Sequence, residues 1–193
     1  MPMIDLEFVV HLLSRRYYVE AACLGILSAA KHPTALAHML AGAACCGCAE
    51  PLAYSQRLLE DAPIADSMSS GGLLVSPASS LPYDGFFHLI EALRLDPSIQ
   101  APHALHEVFH AIALELSFVS RREIHQPPNQ RRMYTGRLAS AGGAILLNRL
   151  AGGDGRVPGL SEPLLASATG AIEIELRRTG GDAAFFEERT SAP

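Results

Sequence analysis

The spacing of apolar residues constrains the fold of this chain more than any other feature. Leu6, Val9 and Leu13 begin a pattern in which apolar side chains recur every three or four positions, as on one face of an α-helix. Similar stretches follow along most of the 193 residues, separated by proline and glycine. The sequence therefore predicts an all-α protein, folded as a single bundle of about seven helices.

Capping residues and helix breakers set the predicted bounds of these helices. Pro33, Pro51 and the pair at Pro127 and Pro128 mark three of the breaks. The predicted helices cover residues 4–30, 33–49, 52–61, 83–95, 102–125, 130–150 and 161–178.

A segment rich in serine, glycine and proline interrupts the helical pattern over residues 62–82. It predicts a long central loop within one domain, residues 1–182. The loop joins an N-terminal helical half, 1–61, to a C-terminal half, 83–182, and a tail follows over 183–193. The alternative is a mostly helical domain with a small two-stranded element around Leu73 to Val75.

Charge and cysteine content limit the class of protein. The formal net charge of −5 argues against a dedicated nucleic-acid binder, since such proteins carry a basic excess. No apolar run reaches the ~18 residues that a membrane helix needs, and the first thirty residues lack a basic signal-peptide region. The four cysteines are not spaced as a secreted disulfide framework. We therefore expect a soluble, cytoplasmic protein with no membrane contact.

The sharpest chemical motif is His106-Glu107-Val108-Phe109-His110, which has the pattern HExxH. Residues four apart lie on one face of a helix, so His106 and His110 could hold one Zn²⁺. Glu107 could then take a proton from the metal-bound water. The five residues resemble the motif of the zincin metalloenzymes, and this resemblance implies a zinc-dependent hydrolase with Glu107 as general base.

Additional ligands for such a zinc site are open. His103 lies three positions before His106, which places a third imidazole on the same stripe. His38 and His88 belong to other predicted helices and could complete a site in the bundle core. Carboxylates and an imidazole later in the chain are further candidates: Glu123, His125, Glu162, Glu173 and Glu175. The alternative is a helix face that carries three histidines without a metal.

Two further clusters have both a functional and a structural interpretation. Cys45, Cys46 and Cys48 include a CxxC pair, but it falls near a helix end, so we interpret it as buried small residues. The second cluster is basic and surrounds Pro127 and Pro128. It predicts either a junction that binds an anion, a nucleic acid or the acidic patch of a partner protein, or a solvated turn. Its members are Arg121, Arg122, Arg131, Arg132 and Arg137.

Two functions from different classes are compatible with these features. The first is a small helical interaction or assembly subunit without chemistry of its own, which binds another protein or a second copy of itself. Its interface would be the apolar first helix or the arginine junction between residues 121 and 137. The second is a zinc-dependent hydrolase centred on His106, Glu107 and His110.

Overall fold

The computed structural model of the chain describes residues 5–59, 81–121 and 136–180, with side chains over 5–48, 83–120 and 137–180. Within these ranges the chain forms seven α-helices and no strand, which confirms the all-α prediction. Most of the predicted loop, including Leu73 to Val75, and the predicted tail lie outside the described residues. The helices are α1 Leu6–Ser14, α2 Tyr18–Lys31, α3 Ala35–Leu59, α4 Leu81–Leu95, α5 His106–Arg121, α6 Gly136–Leu150 and α7 Glu162–Arg178.

None of the helices in the described ranges combines the length and hydropathy needed to span a bilayer.

The prediction of one helix over residues 4–30 is wrong, because the backbone turns sharply between α1 and α2. Arg16 adopts a left-handed conformation with φ of 61°. The Arg16 and Tyr17 amides donate to the carbonyls of Leu13 and Leu12, at 2.9 and 3.0 Å. These two bonds form a Schellman motif, which satisfies the last carbonyls of α1. Glycine is the usual residue at such a position, so an arginine gave no sign of the break.

The predicted break at Pro51 is also wrong, because α3 continues from Ala35 to Leu59. Its first turn is capped by Thr34, whose hydroxyl accepts from the Ala37 amide at 3.1 Å. A proline removes one backbone hydrogen bond and does not always end a helix. The number of helices nevertheless agrees with the prediction, because the unpredicted break at Arg16 adds one helix and the absent break at Pro51 removes one.

Helices α3, α4 and α6 meet at a point where glycines replace side chains. A Cβ atom added at Gly85 of α4 would lie 2.5 Å from the Cys46 sulfur and 3.1 Å from the Gly42 carbonyl oxygen, both on α3. A Cβ atom at Gly143 of α6 would lie 3.2 Å from the same sulfur. We call Gly42, Cys46, Gly85 and Gly143 the interior crossing. Around it the three backbones approach closely, and α2, α5 and α7 pack outside them.

Candidate functional site

The HExxH motif lies at the start of α5, where the predicted helix is confirmed but begins later than expected. His103 belongs to a short 3₁₀ turn, His103–Leu105, and His106 is the first residue of α5. The His103 and His106 rings are 5.2 Å apart between centroids. Phe109 is fully buried and anchors this turn in the core, whereas Glu107 is exposed. The motif therefore lies at the protein surface, with its apolar positions directed inward.

His106 is held by the main chain that precedes α5. Its Nε2 atom lies 3.0 Å from the Ala101 carbonyl oxygen. A carbonyl oxygen only accepts, so Nε2 must carry the proton and donate it. The Ala101 amide in turn donates to the Leu150 carbonyl at 2.9 Å. His106 therefore fixes the start of α5 to the α4–α5 connection, which is itself hydrogen-bonded to the end of α6.

His110 is held by an amide side chain. The Asn148 Oδ1 atom accepts from the Gly155 amide at 2.8 Å, which leaves Asn148 Nδ2 to donate to His110 Nδ1 at 3.3 Å. In the neutral imidazole the proton is then on Nε2. A histidine that binds zinc offers one nitrogen lone pair and donates a proton from the other nitrogen. With Nδ1 accepting and Nε2 protonated, His110 does not present that arrangement.

No third ligand joins these imidazoles in the part of the chain that the structure describes. No group of three or more His, Cys, Asp or Glu residues in those ranges is placed to hold a metal ion. Glu175 is buried on α7 and pairs with Arg178 at 2.8 Å. Glu123 and His125 lie outside the described residues. The zinc-dependent hydrolase stays a prediction. The contact of His110 argues against it as a ligand, whereas the bond from His106 Nε2 to a carbonyl leaves the Nδ1 lone pair unused by that bond.

The structure pairs His38 of α3 with His88 of α4, which are 50 positions apart in the sequence. Their Nδ1 atoms lie 2.9 Å apart, so one ring donates and the other accepts. Burial lowers the pKa of both imidazoles, and for His88 the nearby His38 adds to the decrease. Glu91 acts in the opposite direction on both rings, and Asp84 does so on His88. Neutral rings are therefore favoured at this helix contact.

The neighbours of the histidine pair are charged. Glu91 accepts from Arg94 one turn later on α4, and this bond is the main reason that the pKa of Glu91 is lowered. Asp84 lies one turn before His88 and has a buried Oδ2 atom without a hydrogen-bond partner among the described residues. The pairing of His38 with His88 could not be predicted from the sequence, which indicated them only as possible additions to the HExxH site, because helical spacing gives no register between two helices.

Cys45, Cys46 and Cys48 are buried on α3, in agreement with their interpretation as small core residues. Burial raises the pKa of the Cys48 thiol to about 12 and raises those of Cys45 and Cys46 as well. Because the thiolate is the reactive form, these thiols are poor nucleophiles and poor metal ligands at neutral pH. Cys23 on α2 is only half-buried, and burial followed by the charge of Glu20 raises its pKa.

The basic junction is described only at its end. Arg137 is exposed at the start of α6. Arg122, Arg131 and Arg132 lie outside the described residues, as does the side chain of Arg121. The anion- or partner-binding junction therefore stays a prediction.

One side of α2 exposes an apolar surface that sequence analysis did not resolve. Ala21, Gly25 and Ala29 face α3 and are buried, whereas Val19 and Leu27 on the other side are 40% and 46% exposed. We call the second side the outer face of α2. Its members are Val19, Glu20, Cys23, Leu24, Leu27, Ala30 and Lys31.

Two further exposed apolar side chains precede the outer face of α2 in the sequence. Phe8 of α1 and Tyr17, which precedes α2, are each about half exposed. Four of the nine large apolar side chains that are exposed in the described ranges therefore fall within twenty residues. The signal in the sequence was a helix with apolar residues on almost every side, which normally indicates burial on every side.

Comparison of the chain with protein-family models, with curated proteins and with solved structures finds no significant match.

Proposed function

We propose that this protein is a helical interaction subunit that binds another polypeptide through the outer face of α2. The observation that carries the proposal is the exposure of Val19 and Leu27 on a helix whose opposite side is packed against α3. Exposed apolar side chains are ordinary when they are scattered, but a contiguous set on one helix is typical of an interaction surface.

The energy available from this face suits a reversible contact. Full burial of a leucine or valine side chain contributes about 1.5–3 kcal/mol, so covering half-exposed side chains contributes about 1 kcal/mol each. Leu27, Val19 and the partly exposed Leu24 together supply a few kcal/mol. Association costs at least several kcal/mol in lost translation and rotation. These side chains alone therefore support only weak binding, and a tighter complex needs additional contacts such as Tyr17 and Phe8 in the interface.

The internal contacts of the titratable groups also favour a binding function over catalysis. His106 and His110 are engaged with main-chain and amide groups, and His38 and His88 with each other. The buried cysteines are held as thiols. A surface for a partner needs none of these groups to be free.

The experiment compares Leu27→Glu with Leu114→Glu in the purified full chain. Leu114 on α5 is 39% exposed, which matches Leu27 closely in residue type and exposure. Sedimentation velocity over a concentration series, and co-purification from the native cells, would measure association. We expect Leu27→Glu to abolish it and Leu114→Glu to leave it intact, with both melting temperatures near that of the wild type. Equal association of both variants and the wild type would contradict the proposal.

A further inference from the structure

The outer face of α2 carries opposite charges at its two ends. Glu20 lies in the first turn of the helix and Lys31 is its last residue, and both side chains are exposed. The residues between them on this face are apolar: Cys23, Leu24, Leu27 and Ala30. A surface with one negative and one positive end is complementary to itself when it is turned through 180°.

We propose that the partner of this face is a second copy of the chain, with the two α2 helices antiparallel. The inference rests on the proposed function and adds the identity of the partner. Glu20, Leu24, Leu27 and Lys31 fall within an arc of about 60° on the helix, since they are separated by four, three and four residues. They form one narrow stripe, as a seam between two helices requires.

A twofold axis midway between residues 25 and 26 places each group of the stripe opposite a favourable one. Glu20 faces Lys31 of the second copy, and Leu24 faces Leu27 of the second copy. The two ion pairs lie about 16 Å apart along the helix and enclose the leucine contacts between them. A parallel pair would instead place Glu20 against Glu20 and Lys31 against Lys31. Charge therefore selects the antiparallel arrangement.

The same register also determines the distance between the two Cys23 residues of the dimer. In the antiparallel pair the two Cys23 residues are about 7.5 Å apart along the helix axis, because each lies two and a half residues from the twofold axis. Disulfides require Cα atoms closer than about 7 Å. Oxidation should therefore leave the antiparallel dimer without an intermolecular disulfide.

The experiment exchanges the two charges in the full chain. Glu20→Lys makes both ends of the face basic, and Lys31→Glu makes both ends acidic. In a homodimer each single variant replaces two attractive contacts by two repulsive ones, so we expect dimerisation to weaken about tenfold or more at low salt. The double variant E20K/K31E exchanges both charges and should dimerise as the wild type does. Sedimentation equilibrium measures each constant, and Glu107→Lys on α5 is the control.

A mixture of the two single variants gives the sharpest test. The basic face of E20K is complementary to the acidic face of K31E, so the mixture should form a heterodimer although neither variant dimerises well alone. Failure of both the mixture and the double variant would overturn the proposal, as would rapid disulfide linkage through Cys23.

The outcomes separate this inference from the proposed function. If the wild type is monomeric at high concentration while Leu27→Glu releases a different co-purifying protein, the second copy is wrong and the interaction function stands. If Leu27→Glu changes no association at all, both proposals fail. Melting temperatures of all the variants verify that the exposed substitutions leave the fold intact.

Discussion

The interior crossing and the outer face of α2 differ in the size of their side chains and in what covers them. At the interior crossing, glycine and cysteine let α3, α4 and α6 approach until a single added Cβ atom would clash. On the outer face, leucine and valine are left half exposed although they have the same helical spacing. Apolar periodicity thus identifies a helix face that can be buried. It does not show whether that face packs against another helix of the same chain or against a second molecule.

Gly85→Ala should give the largest change in stability. Its new methyl group would meet the Cys46 sulfur at 2.5 Å and the Cys46 backbone nitrogen at 3.1 Å, and the backbone cannot withdraw easily. Overpacking costs about 1–3 kcal/mol or more and exceeds the ~1 kcal/mol that alanine contributes to a helix over glycine. We expect a net loss of about 2 kcal/mol in the free energy of unfolding, measured by urea titration.

Gly170→Ala is the matched control for this substitution. Gly170 also lies inside a helix, α7, but a Cβ atom there would have no neighbour within 4 Å. Only the helix propensity changes, so the variant should gain up to about 1 kcal/mol. If Gly85→Ala stabilised the protein as Gly170→Ala should, the close packing at the interior crossing would be refuted.

The contact of α3 and α4 at His38 and His88 should make the stability of the interior depend on pH. Burial lowers the pKa of both rings below the ordinary value of 6.5, so the folded state binds fewer protons than the unfolded chain. The stability that the pair supplies is present above pH 6.5 and is lost as the pH falls through the folded-state values. We expect the urea midpoint to decrease between pH 7.5 and 5.5.

His88→Gln should flatten this pH dependence, because it removes one of the two buried titrating rings. Leu27→Glu, on the outer face of α2, should leave the dependence unchanged between pH 7.5 and 5.5. A slope that is identical in wild type and His88→Gln would show that other groups cause the acid sensitivity.

Arg16→Gly tests the turn that orients α2 on the rest of the bundle. Arg16 has a φ of 61°, a conformation that costs a non-glycine residue about 1–2 kcal/mol. Glycine removes most of that cost, so we expect the melting temperature to rise, with a gain of about 1 kcal/mol. Arg15→Gly is the control, since Arg15 has a φ of −92° and should lose stability. Destabilisation by both substitutions would argue against the left-handed turn.

His110→Ala should have the smallest effect. It removes one hydrogen bond, from Asn148 at 3.3 Å, on an exposed side chain, which corresponds to about 0.5 kcal/mol. We expect the melting temperature of the wild type to be the same with added Zn²⁺ and with a chelator, and Glu107→Gln to be silent. A wild-type melting temperature that rises with Zn²⁺ and does not rise in His110→Ala would instead establish a metal site at HExxH.

The sequence predicted the helical class because periodicity is a local property that each segment carries independently. The helix that contains HExxH was predicted for this reason. The burial of Cys45 and Cys46 was predicted correctly, but from the position of the CxxC pair near a helix end, whereas α3 continues past it to Leu59. The errors at Arg16 and Pro51 arose where one residue departs from its usual role. An arginine adopts the conformation that glycine normally takes, and a proline lies inside a helix that continues past it.

The arrangement of the candidate sites could not be predicted, because it depends on which helices meet. His38 and His88 are unremarkable alone, and only the register of α3 on α4 brings their Nδ1 atoms to 2.9 Å. Conversely, His106 and His110 have the spacing of zinc ligands, but Asn148 from another helix donates to Nδ1 of His110, and Ala101 accepts from Nε2 of His106. Spacing predicts which residues share a helix face, and tertiary contacts determine what that face meets.

The cysteines of this protein should react with an alkylating reagent at two different rates, because they differ in exposure. Cys23 lies on the outer face of α2, while Cys45, Cys46 and Cys48 are buried on α3. An alkylating reagent should modify Cys23 from the native state and reach the other three only when the bundle opens. The slow labelling rate would measure how often the helices separate, and a decrease in the labelling rate of Cys23 at rising concentration would measure the fraction of chains whose outer face is covered. Both rates come from one unaltered chain.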